Sequence, residues 1–108
     1  MKTPRRRARE LAVQALSQAA VNSIPAAEAA KNIREMAEFG KADEGLFNKL
    51  VIGTADNAAA YMQQIRPLLD RDEKDLSPIE RAVLLMACHE LSAMPETPYP
   101  VIINEAIE

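Results

Sequence analysis

The stretch SPIERAVLLMACHEL, residues 77–91, decides the fold class. Ser77, Pro78 and Glu80 form a capping box: the serine side chain holds the backbone N–H three residues on, and the glutamate reaches back to the serine. Proline at the first helical position loses nothing, because its missing N–H has no partner there anyway. The motif predicts a helix from Pro78 to about Ala93, with Ile79, Ala82, Val83, Leu85, Met86, Leu91 and Met94 as core candidates. Glu80, Arg81 and Glu90 are expected to face outward.

The same periodicity runs upstream. Thr3 and Pro4 read as an N-cap and first residue of a helix reaching about Val21, with Ala8, Leu11, Ala12, Ala15, Leu16 and Ala19 as its buried stripe. Arg6, Arg7, Glu10, Gln14 and Ser17 fall opposite. A second helix is predicted from Pro25 to Gly40, with Ala27, Ala30, Ile33, Met36 and Ala37 on its apolar side. Asp43 caps a third, expected to be the longest, in which Leu46, Phe47, Leu50, Val51, Thr54, Ala58, Tyr61, Met62 and Ile65 keep helical spacing across Gly53 until Pro67 stops or kinks it. Beyond Ala93, Pro95, Pro98 and Pro100 enforce an extended connection, and Val101 to Glu108 open another helix. The fold class is all-α, a bundle of about five helices forming one domain over residues 1–108.

Composition supports this class. At 108 residues, with 48% hydrophobic but only 4% aromatic residues and no Trp, aliphatic side chains and alanine must fill one modest core, which suits closely packed helices. Cys88 is the only cysteine and His89 the only histidine, which excludes an internal disulfide and leaves too few soft ligands for a zinc site. Cys88 reads as a semi-buried structural thiol and His89 as a core-edge or surface side chain; neighbours on a helix point about 100° apart and do not make a nucleophile and base. Three glycines supply neither a P-loop nor a dinucleotide fingerprint, and no carboxylate pair stands out for acid–base work. No catalytic residue, metal or cofactor is expected. No apolar run approaches the roughly 20 residues of a membrane span, so the chain is read as non-membrane and cytoplasmic.

Charge is distributed unevenly. Lys2, Arg5, Arg6, Arg7 and Arg9 place five of the 13 basic residues in the first nine positions, with no acid among them; the remaining 8 face all 16 acidic residues. A basic end on an acidic body points to a polyanion partner. Cations in the first turns of a helix also oppose its macrodipole, a cost of some tenths of a kcal/mol each that a bound phosphate would offset.

Three segments together resemble the NusB family of transcription antitermination and ribosomal-RNA-processing factors: RRRARELAVQAL from Arg5 to Leu16, SPIERAVLLMACHEL from Ser77 to Leu91, and PYPVIINEAIE from Pro98 to Glu108. The resemblance covers essentially the whole chain. It implies a compact helical fold that binds a short single-stranded RNA element, boxA, pairs with the small-subunit ribosomal protein NusE, and works within the RNA polymerase antitermination complex without catalysing a reaction. Carried over by position, it assigns RNA contacts to Lys2, Arg5, Arg6, Arg7, Arg9 and Gln14, and partner contacts to Glu80 and Arg81. Arginine suits the task because its planar fork grips phosphate bidentately and stacks on unpaired bases.

The sequence departs from the family in places. Ser17 stands where relatives often have Tyr. In the family, the segment resembling INEAIE continues through a Phe-Gly turn into a final helix with an Asn-Gly signature, whereas Glu108 is the last residue of this sequence. A chain lacking that segment is expected to expose parts of the faces built by Leu85, Met86, Ile103 and Ile107, to self-associate through them, and to bind RNA more weakly. Two alternatives stay open: the recognition domain of a ribosomal-RNA methyltransferase, and a protein-only module that homodimerises by burying its arginine-rich helix.

Overall fold

A computed structural model describes residues 3–70 and 72–93. Lys2, Met94 and the segment from Pro95 to Glu108, including the expected helix at Val101–Glu108 with Ile103 and Ile107, lie outside the described residues. Among those described there are five α-helices and no strand: α1 (Pro4–Asn22), α2 (Ala26–Arg34), α3 (Glu44–Asp56), α4 (Ala58–Ile65) and α5 (Pro78–Ala93). The fold is all-α, as the periodicity predicts. None of these helices is long and apolar enough to cross a membrane.

Local chemistry sets the ends of α1. The Thr3 hydroxyl accepts from the Arg6 N–H at 3.1 Å, with Pro4 following it, so one otherwise unpaired N–H is satisfied before the arginines begin. At the other end Ser23 turns into the left-handed region (φ 54°), and the Ile24 N–H donates to the Ala19 carbonyl at 3.1 Å. Ala8, Ala12 and Ala15 are fully buried, and their small side chains let α2, α3 and α5 pack closely on α1. The centre of this core is Phe47, Leu50 and Val51 of α3, joined by Ile33 of α2 and Met86 of α5. A smaller cluster gathers Tyr61, Met62 and Leu85 between α4 and α5.

The second helix stops six residues short of Gly40. At Met36 the backbone becomes extended (ψ 147°), and Ala37–Lys41 form a 3-10 turn. Phe39 explains the break: in a continuous helix it would lie about 120° from Ile33, off the apolar stripe. The turn instead seats it in the core, edge-to-face with Phe47 at 4.9 Å between ring centroids. With the shorter helix, Ala29 joins Ala30 and Ile33 inside, while Ala27 is exposed and Met36 sits at the surface.

The expected third helix is two helices, and α1, at 19 residues, is the longest element among the described residues. Asp43 does cap α3, accepting from the Leu46 N–H at 3.0 Å. The helix then breaks at Asn57, whose side-chain amide donates to the Gly53 carbonyl at 2.8 Å and competes for an acceptor of the helical ladder. The bend turns Tyr61 and Met62 of α4 toward α5. Pro67 falls in a 3-10 turn, Arg66–Leu68, and a second one covers Glu73–Asp75.

The helix expected from Pro78 is α5. Its capping box is complete, with the Ser77 N–H donating to Glu80 Oε1 at 2.9 Å and the Glu80 N–H donating to Ser77 Oγ at 3.1 Å. Ala82, Leu85 and Met86 are buried as expected, but Ile79 and Leu91 are exposed, and His89 and Glu90 occupy the inner face in their place. Leu85 and Met86, expected to be laid partly bare, are only 3% and 5% exposed.

Candidate nucleic-acid interface

The cap at Thr3 fixes where the arginines point. No acid occurs in the first turn of α1, so the exposed N–H groups and the guanidinium groups present positive charge together. Arg5 is exposed, with Nη1 3.9 Å from Asp43 Oδ2. Arg6 Nε lies 3.7 Å from Glu10 Oε1, one turn along. Arg7 is half-buried and has no carboxylate partner among the described residues. The exposed Arg5–Asp43 pair is of a kind that contributes little, so Arg5 can exchange it for phosphate at small cost. Gln14 is exposed two turns from Arg7 and nearly in line with it.

Arg9 departs from the expected RNA set. It is 5% exposed, and its Nε donates to Glu90 Oε1 at 3.0 Å across the α1–α5 contact. Its Nη2 is buried without a hydrogen-bond partner. An arginine whose charge is consumed inside the core offers nothing to a phosphate. Glu90, expected to face outward, is 3% exposed for the same reason. A signal for both was present in α5, since Glu90 and His89 stand eight and seven residues after Ala82, on the stripe of Leu85 and Met86.

The start of α5 carries the expected partner residues. Glu80 is exposed while its carboxylate closes the capping box. Arg81 Nε lies 3.7 Å from Glu73 Oε2, and Arg66 Nε donates to Glu73 Oε1 at 2.6 Å, so one carboxylate gathers two arginines from separate elements. The Arg66 hydrogen bond, with the two cationic charges behind it, holds Glu73 below its ordinary value of 4.5. These groups line a shallow cavity of 720 Å³ together with Leu69 and Leu76. Positions 66, 73 and 81 share no helix and no period, so nothing in the sequence brings this network together.

His89 fastens three helices. Tyr61 Oη of α4 meets its Nδ1 at 2.7 Å, and its ring lies against Gly53 of α3. Cys88 is half-buried, its Sγ donating to Gln64 Oε1 at 3.6 Å, as a structural thiol would be. Burial pushes His89 below the ordinary 6.5. The unfolded chain therefore takes up a proton before the folded one does, so His89's contribution is fully present above about pH 6.5 and is lost as pH falls below it. Urea unfolding should show a lower midpoint at pH 5.5 than at 7.5, and His89→Gln should remove most of that difference. Equal midpoints in the native chain would contradict the buried neutral imidazole. Among the described residues, no three His, Cys, Asp or Glu side chains are grouped to hold a metal ion.

A family model described as the NusB family matches residues 6–108. The transcription antitermination protein NusB of Neisseria meningitidis serogroup B (strain MC58) is 77% identical over 108 residues, spanning all of this chain and 77% of that protein. The protein of the same name from Laribacter hongkongensis is 50% identical over 108 residues, all of this chain and 66% of its own length. That from Chromobacterium violaceum is 50% identical over 109 residues, with 73% of its length covered.

Proposed function

Since the chain belongs to the NusB family, we propose that it acts in transcription antitermination as a non-catalytic, cytoplasmic RNA-binding adaptor for ribosomal RNA synthesis. It grips boxA-type single-stranded RNA through Arg5, Arg6 and Arg7, with Gln14 further along α1 and Lys2 before it. It meets the ribosomal protein NusE through Glu80 and Arg81 at the start of α5, and joins the RNA polymerase antitermination complex in that form. The observation that carries this reading is the opening of α1: three successive arginines, one exposed and two half-buried, in a turn without acids, on a chain whose net charge is −3.

Arg9 is left out of the RNA set and instead holds α1 against α5. The RNA end of α1 and the partner end of α5 are thus borne on two helices joined by a buried ion pair. Fluorescence-anisotropy titration of a boxA-type RNA against a scrambled control, with and without NusE, tests the reading. Preference for boxA, strengthened by NusE and weakened by Arg6→Ala/Arg7→Ala, is the expected result. Equal and weak binding of both RNAs, unchanged by NusE, would overturn it.

A further inference from the structure

The arginine grip accounts for attraction to a polyanion, and a second feature of α1 offers uncharged chemistry suited to reading bases. Gln18 sits 11 residues after Arg7, roughly 16 Å along the axis at about 1.5 Å per residue, about 20° around the helix from Arg7 and about 40° from Gln14, on the same face. That distance matches about five stacked nucleotides at roughly 3.4 Å each. Here α2 comes alongside, and Asn32 Nδ2 donates to Gln18 Oε1 at 3.3 Å in an exposed amide–amide bond. The two helices thereby hold a pair of amides side by side at the surface.

One bond between two primary amides uses a donor of one and an acceptor of the other. The Gln18 amide nitrogen and the Asn32 amide oxygen are not used in that bond, which leaves the exposed pair one donor group and one acceptor group. Turning both amides over leaves the same combination with the partners exchanged. Such a pair is complementary to the donor–acceptor edge of an unpaired base, and amides are the side chains that read adenine bidentately in nucleic-acid complexes. Neither residue carries charge, so neither adds to the attraction for phosphate. Among the described residues, neither the Gln18 nor the Asn32 side chain makes another hydrogen bond.

We propose that the Gln18–Asn32 amide pair is a base-reading contact for single-stranded RNA whose phosphates are held by Arg5–Arg7, an inference that rests on the RNA-binding reading above. The RNA would run along the outer face of α1, anchored at its start and read near the junction with α2.

The test is a base-by-base substitution series of the boxA-type RNA, titrated against the native chain, Gln18→Ala, Asn32→Ala and the double variant at two salt concentrations. The native chain should discriminate at one or two bases distant from the arginine grip. The double variant should lose about fivefold or more of that discrimination, with its salt dependence unchanged because no phosphate contact has been removed. Gln18→Glu, which keeps length but places a carboxylate on the track, should weaken all the RNAs. A native chain that discriminates while the double variant keeps the same base profile would overturn the amide reader and leave the RNA-binding reading standing. A native chain that binds every RNA alike would overturn both.

Discussion

Glu90→Ala should destabilise the fold by about 3–5 kcal/mol, the cost of leaving a buried charge without its partner. Glu90 is 3% exposed and Arg9 5%, and the pair is made across 81 residues of sequence, so no local rearrangement returns the guanidinium to water. Arg9 already has one buried nitrogen, Nη2, without an acceptor, so losing Glu90 leaves the group worse placed still. For a domain of this size that loss lowers Tm on the order of 15 °C or more. Arg9→Ala should also destabilise, because it removes the guanidinium that faces the buried carboxylate across the α1–α5 contact. The double variant Arg9→Met/Glu90→Leu, which replaces the pair with apolar volume, should recover most of the stability, because desolvation offsets much of what a buried pair gains. Chemical denaturation of the four proteins measures the cycle. A Glu90→Ala cost below about 1 kcal/mol, the range of exposed pairs, would contradict the buried geometry.

Gly53→Ala should also destabilise, although alanine inside a helix ordinarily gains about 0.5–1 kcal/mol over glycine. A Cβ at Gly53 would sit 2.4 Å from His89 Nε2 and 2.5 Å from Cε1. The ring has little room to retreat, since its other nitrogen is held by Tyr61 Oη at 2.7 Å and the residue is 7% exposed. Overpacking of this kind costs about 1–3 kcal/mol, enough to reverse the intrinsic preference. Removing the obstacle should restore it: on a His89→Ala background, Gly53→Ala should become neutral or stabilising. Denaturation midpoints of the two single variants and the double variant decide this, and a stabilising Gly53→Ala in the native background would show that the contact is absent.

Features governed by neighbours in sequence were legible beforehand. Thr3, Asp43 and Ser77 act as caps within three residues of themselves, and α1, α3 and α5 begin where these caps place them. The alanine stripe of α1 was visible because period and residue type agree there. Residue type and position conflict at two places: Glu90 lies on the inner stripe of α5 although an acid predicts solvent, and Arg9 is buried although its basic neighbours predict a phosphate contact. The division of α3 from α4 depends on an Asn57 side chain competing for a carbonyl, and the end of α2 depends on Phe39 finding Phe47. The first leaves no mark in hydrophobic periodicity; the second leaves one, Phe39 falling off the stripe of Ile33, but not the partner or the turn that buries it. Of the basic cluster, sequence located the patch, and only packing could separate the arginines that reach solvent from the one that does not.

That separation is tested most directly by the salt dependence of RNA affinity. For a single strand, log K falls against log salt by about 0.7 per phosphate neutralised. Arg5, Arg6 and Arg7 alone give a slope of roughly −2, and Lys2 as a fourth contact brings it to roughly −3. Arg6→Ala/Arg7→Ala should make the slope shallower by about 1.4. The Arg9→Met/Glu90→Leu variant, if folded, should keep the native slope, because Arg9 faces the core. A double arginine variant with the native slope, or an Arg9 variant that lost slope while staying folded, would contradict the assignment of RNA binding to the exposed opening of α1.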